Sequence, residues 1–316
     1  MDFSRSERGI TLRPRETRRA EQFDSALKTF DSDVRRLPGI AETATRQAFL
    51  EQLVESVRRV DFIGAISRRS VSMLRADPTS SIFDPIRAAR LHQQAGRIDE
   101  ACWLVFLSVH FGKNRRTGWV LARDVYGGLG CDTWDWERTS SNPSTFRSWL
   151  ANSQTRLKQT GHFGNHRKYQ SLDAYKPVGT GAAIESYVRW IKPPRTHAML
   201  FDEARRQAGA NRRMMFDWLY RSMGSVVSFG RTGRFDYLTM LGKLELAPIE
   251  PGSTYMTGAT GPLDGARLLF GKKPAVGQLD NWLVQLGDHL GVSMQVIEDA
   301  LCNWQKSPDA FEGFRG

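Results

Sequence analysis

The chain has 316 residues, 40% hydrophobic and 25% charged, the balance of an ordinary soluble globular protein large enough for one big domain or two lobes. No stretch reaches the roughly 18 consecutive apolar residues that a membrane-spanning helix needs. The opening MDFSRSERGITLRPRETRR lacks the apolar segment of a secretory signal, so no membrane partner and a cytoplasmic location are expected. Lysine and arginine number 45 against 34 acidic residues, a net charge of +11 with a pI near 9.9. That charge points to a polyanion, nucleic acid first, although a solvated basic surface would carry it equally well.

Residues 1–36 mix arginines and acids with few large apolar side chains and are expected to form a flexible or loosely docked arm, ahead of a helical domain over 37–316. Leu37-Pro38-Gly39-Ile40 reads as a turn. Phe49, Leu53, Val57, Val60, Ile63 and Ile66 recur at helical spacing and predict a helix from Ala41 to about Arg69. A loop at 77–81 leads to a helix from Phe83 to about Gly96, then to a strongly apolar, buried helix from Ile98 to Phe111. That helix carries His110 and ends in Lys113, Asn114, Arg115 and Arg116. A buried helix leading into a basic turn suits a DNA-facing edge, and a core helix with a solvated end gives the same pattern. A helix from Thr117 to Tyr126 is broken by glycines at 127–130.

Trp134, Trp136, Phe146 and Trp149 follow among polar residues. Aromatic faces beside basic groups can hold an extruded base; they are also ordinary core. The polar loop TGHFGNHRKYQ holds His162, Asn165, His166 and Arg167. It suits backbone contact or the lip of a base pocket, and with Gly164 and Asn165 between its histidines it makes a poor metal site. Helices are expected over 182–191, 196–208, 211–223, 234–244 and 293–305, with a long connection before Pro262. No strand alternation or internal repeat appears. The three cysteines, Cys102, Cys131 and Cys302, are widely spaced and cannot supply a four-ligand zinc site or iron–sulfur cluster. The expected fold is all-α, two helical lobes with a cleft between them.

The stretch GATGPLDGARLLFGKKPAVGQLDNWLVQLGDHL, residues 258–290, carries the chemistry. Gly258, Thr260 and Gly261 precede a helix set by Leu263, Ala266, Leu269 and Phe270. Lys272 and Lys273 form a basic turn, and a second helix presents Leu279, Trp282, Leu283, Leu286 and Leu290, with Asp280 at its start. Glycines before a helix N-terminus make a phosphate cradle, and a carboxylate beside a bound backbone is a candidate catalyst. An αα-hairpin with an aspartate N-cap accounts for the same residues.

This arrangement resembles the helix-hairpin-helix DNA glycosylase superfamily, in which hairpin amides grip a DNA phosphate and an aspartate opens a later helix. More specifically, FDYLTMLGKLELAPIEPGSTYMTGATGPLDGARLLFG with QLDNWLVQLGDHLG, and the segments SVHFGKNRRTGWV and GHFGNHRKYQSL, resemble the alpha-glutamyl/putrescinyl thymine pyrophosphorylase family over about residues 40–310. The resemblance implies action on hypermodified bases of phage-type DNA, either installing them or excising them in antiviral defence. It assigns the catalytic carboxylate to Asp280. Leu263 stands where bifunctional glycosylases carry a Schiff-base lysine, which implies a monofunctional enzyme that leaves an abasic site. The expected partner is duplex DNA with modified bases, engaged by a monomer without cofactor, metal or cluster. A base-hypermodification transferase and a non-catalytic DNA-binding protein are the alternatives.

Overall fold

The computed structural model describes residues 13–271 and 274–313, with the side chains of 67, 68 and 165 left aside. Lys272, Lys273 and the first twelve residues of the expected arm therefore lie outside the described residues. The fold is all-α. In chain order the helices are α1 (Pro14–Thr29), α2 (Thr43–Arg68), α3 (Pro85–Gln94), α4 (Ile98–Phe111), α5 (Val120–Tyr126), α6 (Trp136–Ser141) and α7 (Pro143–Thr160). There follow α8 (Thr180–Ile191), α9 (His197–Ala208), α10 (Arg212–Ser222), α11 (Arg231–Lys243), α12 (Gly261–Phe270), α13 (Val276–Leu290) and α14 (Met294–Trp304). Among the described residues there is no strand, only the isolated bridges Asn114–Gly118 and Ser171–Gly179. The chain divides into two compact units, one from residues up to 63 together with 251–315, the other from 64–250.

The first unit corrects the expectation of a loose arm. Residues 14–29 form a helix whose first turn is closed by Glu16, which accepts the Arg13 backbone N–H at 2.8 Å. Ala20, Phe23, Leu27 and then Phe30 fall on one side and are buried in a common core with Phe49 and Leu53 of α2, Leu269 of α12, Leu283 and Leu286 of α13, and Leu301 and Trp304 of α14. Low overall hydropathy hid this helix, because its apolar stripe is one residue wide. Two glycines make the packing possible. A Cβ on Gly265 of α12 would lie 2.4 Å from the Leu301 carbonyl oxygen of α14, and one on Gly39 would lie 2.1 Å from that of Leu268. The Leu37–Ile40 turn is thus a contact surface for α12, with a short 3-10 helix at Pro38–Ile40.

In the second unit α4 is the central element. Its residues from Ala101 to Ser108 are all buried, and α3, α5, α6, α9 and α11 pack on it. Phe106 stacks on Tyr187 at 3.9 Å and on Phe229 at 4.6 Å between ring centroids. The tryptophans read as base-stacking candidates belong to this core: Trp134 is 2% and Trp136 8% exposed, and the Trp103 indole donates to the Trp134 carbonyl at 2.9 Å. Burial of so large an apolar surface outweighs any exposed stacking role for Trp134.

Candidate functional site

Asp280 does not open its helix. The Ala275 carbonyl accepts from the N–H groups of Gln278 and Leu279, so α13 begins at Val276 and Asp280 lies one turn inside. The helix dipole therefore contributes less there than at a first residue. Hydrogen bonding holds the carboxylate instead. Its Oδ1 accepts from the hydroxyls of Ser253 at 2.8 Å and Thr254 at 2.7 Å, and the Met256 N–H reaches both oxygens, at 3.2 and 3.0 Å. The long connection before α12 thus supplies the donors that orient Asp280. Charge-assisted bonds of this kind are the strong ones, and they fix the side chain before any ligand arrives. Asp280 itself is only half-buried.

The residues expected to meet a phosphate lie just beyond the same loop. Ala259 N–H bonds the Met256 carbonyl, Gly258 is exposed with φ +79°, and exposed Thr260 leads into Gly261, the first residue of α12. Gly258, Thr260, Gly261 and Asp280 all belong to the first unit, and Asp280 bonds the loop just ahead of the three at Ser253, Thr254 and Met256. Pro262 follows in the first turn, where its missing N–H costs nothing.

The basic candidates of the second unit separate into surface and core. Lys113, Arg115 and Arg116 are exposed on a turn closed by Asn114, whose side-chain oxygen accepts from the N–H groups of Arg116 at 2.9 Å and Thr117 at 3.0 Å. The Asn114 amide donates to the Phe163 carbonyl at 2.9 Å, which brings this turn against the loop carrying exposed His162, His166 and Lys168. Asn114 is thus a structural member of the pair of loops. His110 and Arg167 are corrections. His110 is 1% exposed, its Nε2 lies 3.0 Å from the Thr180 hydroxyl, and burial followed by the nearby Arg167 holds its pKa down to about 3. Arg167 is 7% exposed beside Phe229, and burial lowers its pKa, opposed by Asp236. Both sit behind the surface loops and cannot contact a nucleic-acid backbone.

A second arrangement, absent from the sequence reading, surrounds the N-terminal turn of α4. A cavity of about 700 Å³ is lined by His92, Arg97, Asp99, Glu100, Tyr126, Asp135, Trp136, Glu137 and Arg195, among others. Glu100 accepts from the Tyr126 hydroxyl at 2.6 Å and from the Trp136 N–H at 2.7 Å. Burial nevertheless prevails and lifts its pKa from 4.5 to about 7. Its neighbour Asp99 moves the other way. There burial raises the pKa, but two hydrogen bonds and the charge of His197 together lower it. The Asp99 carboxylate takes the His197 N–H at 2.7 Å and stands 2.5 Å from the ring Nδ1. The other ring nitrogen meets the Tyr187 hydroxyl at 2.6 Å, which meets Tyr237 at 2.8 Å. Adjacent carboxyls with pKa values driven apart are a frequent mark of acid–base or ligand sites. Two acids in the first turn of an otherwise apolar helix were the available signal, and dipole complementarity would explain them equally.

Among the described residues no group of three or more His, Cys, Asp or Glu side chains is placed to hold a metal ion. No helix described is long and apolar enough to cross a membrane. Comparison with curated proteins found no match, and none was found among solved structures. The sequence model of the alpha-glutamyl/putrescinyl thymine pyrophosphorylases, clade 3, matches residues 44–316, and the chain belongs to that family, one named for enzymatic processing of modified thymine.

Proposed function

We propose that the protein is a monofunctional DNA glycosylase that excises a modified base and leaves an abasic site, with Asp280 as its catalytic carboxylate. The observation that carries this reading is the fixing of a half-exposed carboxylate by three donor groups, beside a glycine-containing helix entry. Cleavage of an N-glycosyl bond builds positive charge on the sugar as the base leaves. A carboxylate already oriented stabilises that charge without reorganising, and it can accept a proton from the attacking water. Gly258, Thr260 and Gly261 would hold the neighbouring phosphate through backbone N–H groups. On the second unit, the exposed Lys113, Arg115, Arg116, His162 and His166 would by themselves suit sequence-independent contacts with a nucleic-acid backbone. Leu263, in place of a lysine, removes the Schiff-base route to strand cleavage.

The test is base release from unmodified DNA and from phage DNAs with hydroxymethylated, glucosylated or amine-modified bases, read as free base by mass spectrometry and as alkali-labile sites. Release from one modified DNA should fall by about 10²-fold or more in Asp280→Asn. Unchanged release in that variant would remove Asp280 from the chemistry. A second reading compatible with the family description is transfer of an amine onto an activated thymine. Incorporation of a labelled amine into DNA without base release would replace the first reading by the second.

A further inference from the structure

The turn after α4 and the loop between α7 and α8 gather cations without acids. Residues 112–122 hold Lys113, Arg115 and Arg116 and no carboxylate, and residues 156–172 add Lys158 and Lys168, again with none. Asp173 follows, but its carboxylate is turned to the N–H groups of Tyr175 and Lys176, at 2.8 Å each. Lys113, Arg115, Arg116 and Lys168 are exposed and form no ion pair among the described residues, whereas Arg123, Arg147 and Arg189 of the same unit each meet a carboxylate. The two segments make one surface. The Asn114 amide donates to the Phe163 carbonyl at 2.9 Å, and the Gly164 N–H donates to the Phe111 carbonyl at 2.7 Å.

Beside this surface opens a cavity of about 390 Å³, lined by Lys158, Lys168, Gln170 and Ser171, with Phe163 and Leu172 among its apolar residues and no carboxylate among the described residues of its wall. Lys168 and Gln170 both line it, and Tyr169 between them is 88% exposed, its ring centroid 5.0 Å from the Lys168 ammonium. So exposed a ring contributes no packing to the fold. Together these features choose a ligand. Unpaired cations answer a row of phosphates. A free aromatic face next to them is a platform for a base. An apolar wall carrying an amide and a hydroxyl suits the edge of a base, which needs both donors and acceptors. A duplex keeps its bases stacked on one another and has no face to give Tyr169 and no base to give the cavity; an unpaired strand has both.

We propose that this face of the second unit binds an unpaired DNA strand, with Lys113, Arg115, Arg116 and Lys168 along the backbone, one base in the cavity and a neighbouring base stacked on Tyr169. It rests on the reading of these loops as nucleic-acid contacts, but not on Asp280 or on base release, so a chain that releases no base still answers the test.

The experiment is fluorescence anisotropy of the full chain with a labelled, unmodified oligodeoxynucleotide of about a dozen nucleotides, single-stranded or annealed to its complement, with inorganic polyphosphate as a competitor. The single strand should bind at least about fivefold more tightly than the duplex. Tyr169→Ala should weaken single-strand binding by roughly fivefold to tenfold and leave duplex binding unchanged, and Tyr169→Phe, which keeps the ring, should bind like the parent. Four backbone cations predict a slope of about −3 for the logarithm of single-strand affinity against that of salt. Arg115→Ala should make the slope shallower by about 0.7, while Tyr169→Ala leaves it alone. Duplex binding as tight as that of the single strand would overturn the proposal. So would single-strand binding indifferent to Tyr169→Ala, equal losses in the alanine and phenylalanine variants, or displacement of the strand by polyphosphate of equal charge at equal concentration.

Discussion

Glu100→Gln tests the electrostatics of the second unit without any ligand. The Glu100 carboxyl has two good donors, Tyr126 and the Trp136 N–H, yet burial lifts its pKa from 4.5 to about 7. Because the folded pKa lies above the unfolded one, the folded state holds this proton more tightly. Its stabilising contribution is complete below pH 4.5 and is lost as the pH climbs to about 7. At about 1.4 kcal/mol per unit, ionising Glu100 costs the fold about 3 kcal/mol once the loss is complete. Glutamine never ionises and keeps the shape. Its carbonyl can take the Trp136 N–H, and its amide can donate to the Tyr126 oxygen, since a phenol accepts as well as donates. The stability of the variant relative to the parent should therefore improve by about 2–3 kcal/mol between pH 5 and pH 8. Hydrogen exchange of the α4 amides, corrected for intrinsic rates, reads the opening free energy of this unit. His92 and His110 are common to both proteins and cancel in the difference. A difference that stays constant with pH, or moves the other way, would refute the claim that burial outweighs the two hydrogen bonds.

Two further outcomes concern the first unit. Gly265→Ala places a Cβ 2.4 Å from the Leu301 carbonyl oxygen, and backbone must shift to admit it. A loss of about 3 kcal/mol or more is expected in urea unfolding, against the slight gain alanine brings at an open helical position. Leu27→Ala removes a fully buried side chain of α1 from the core it shares with α2, α13 and α14. It should cost about 2–5 kcal/mol and lower the melting temperature; an unchanged melting temperature would restore the reading of these residues as a loose arm.

The fold was legible where one physical signal dominated. The helix expected over 98–111 is α4, because a continuous apolar run of that length has to be buried and helical. The helix expected over 211–223 is α10 at Arg212–Ser222, because the Asn211 side chain accepts from the N–H groups of Arg213 and Met214, as an N-cap should. Residues 14–29 were misread because composition was weighed over spacing. Ala20, Phe23, Leu27 and Phe30 already stood at helical intervals. His110 and Arg167 were misplaced for the converse reason. Polar residue type suggested a surface, while His110 lies on the all-round-buried α4 and Arg167 is covered by neighbours remote in sequence.

The two candidate sites differ in kind. The position of Asp280 after a glycine-containing helix entry is a local pattern, so it could be read from the chain. The bonds from Ser253, Thr254 and Met256 could not, since they depend on how a loop some 25 residues upstream folds back. The cavity is harder still. Its acids come from the start of α4 and the start of α6, and its histidine from α3, each ordinary in its own sequence context. Net charge hides it altogether. A sum of +11 describes the long-range field that a polyanion meets, but a ligand inside a cavity is governed by the few groups within a Debye length and by the low dielectric around them. A basic chain can therefore present a positive field over its surface and still gather acids at one point, provided the acids there are held by their own hydrogen bonds. Asp99 on His197 and Glu100 between Tyr126 and Trp136 meet that condition.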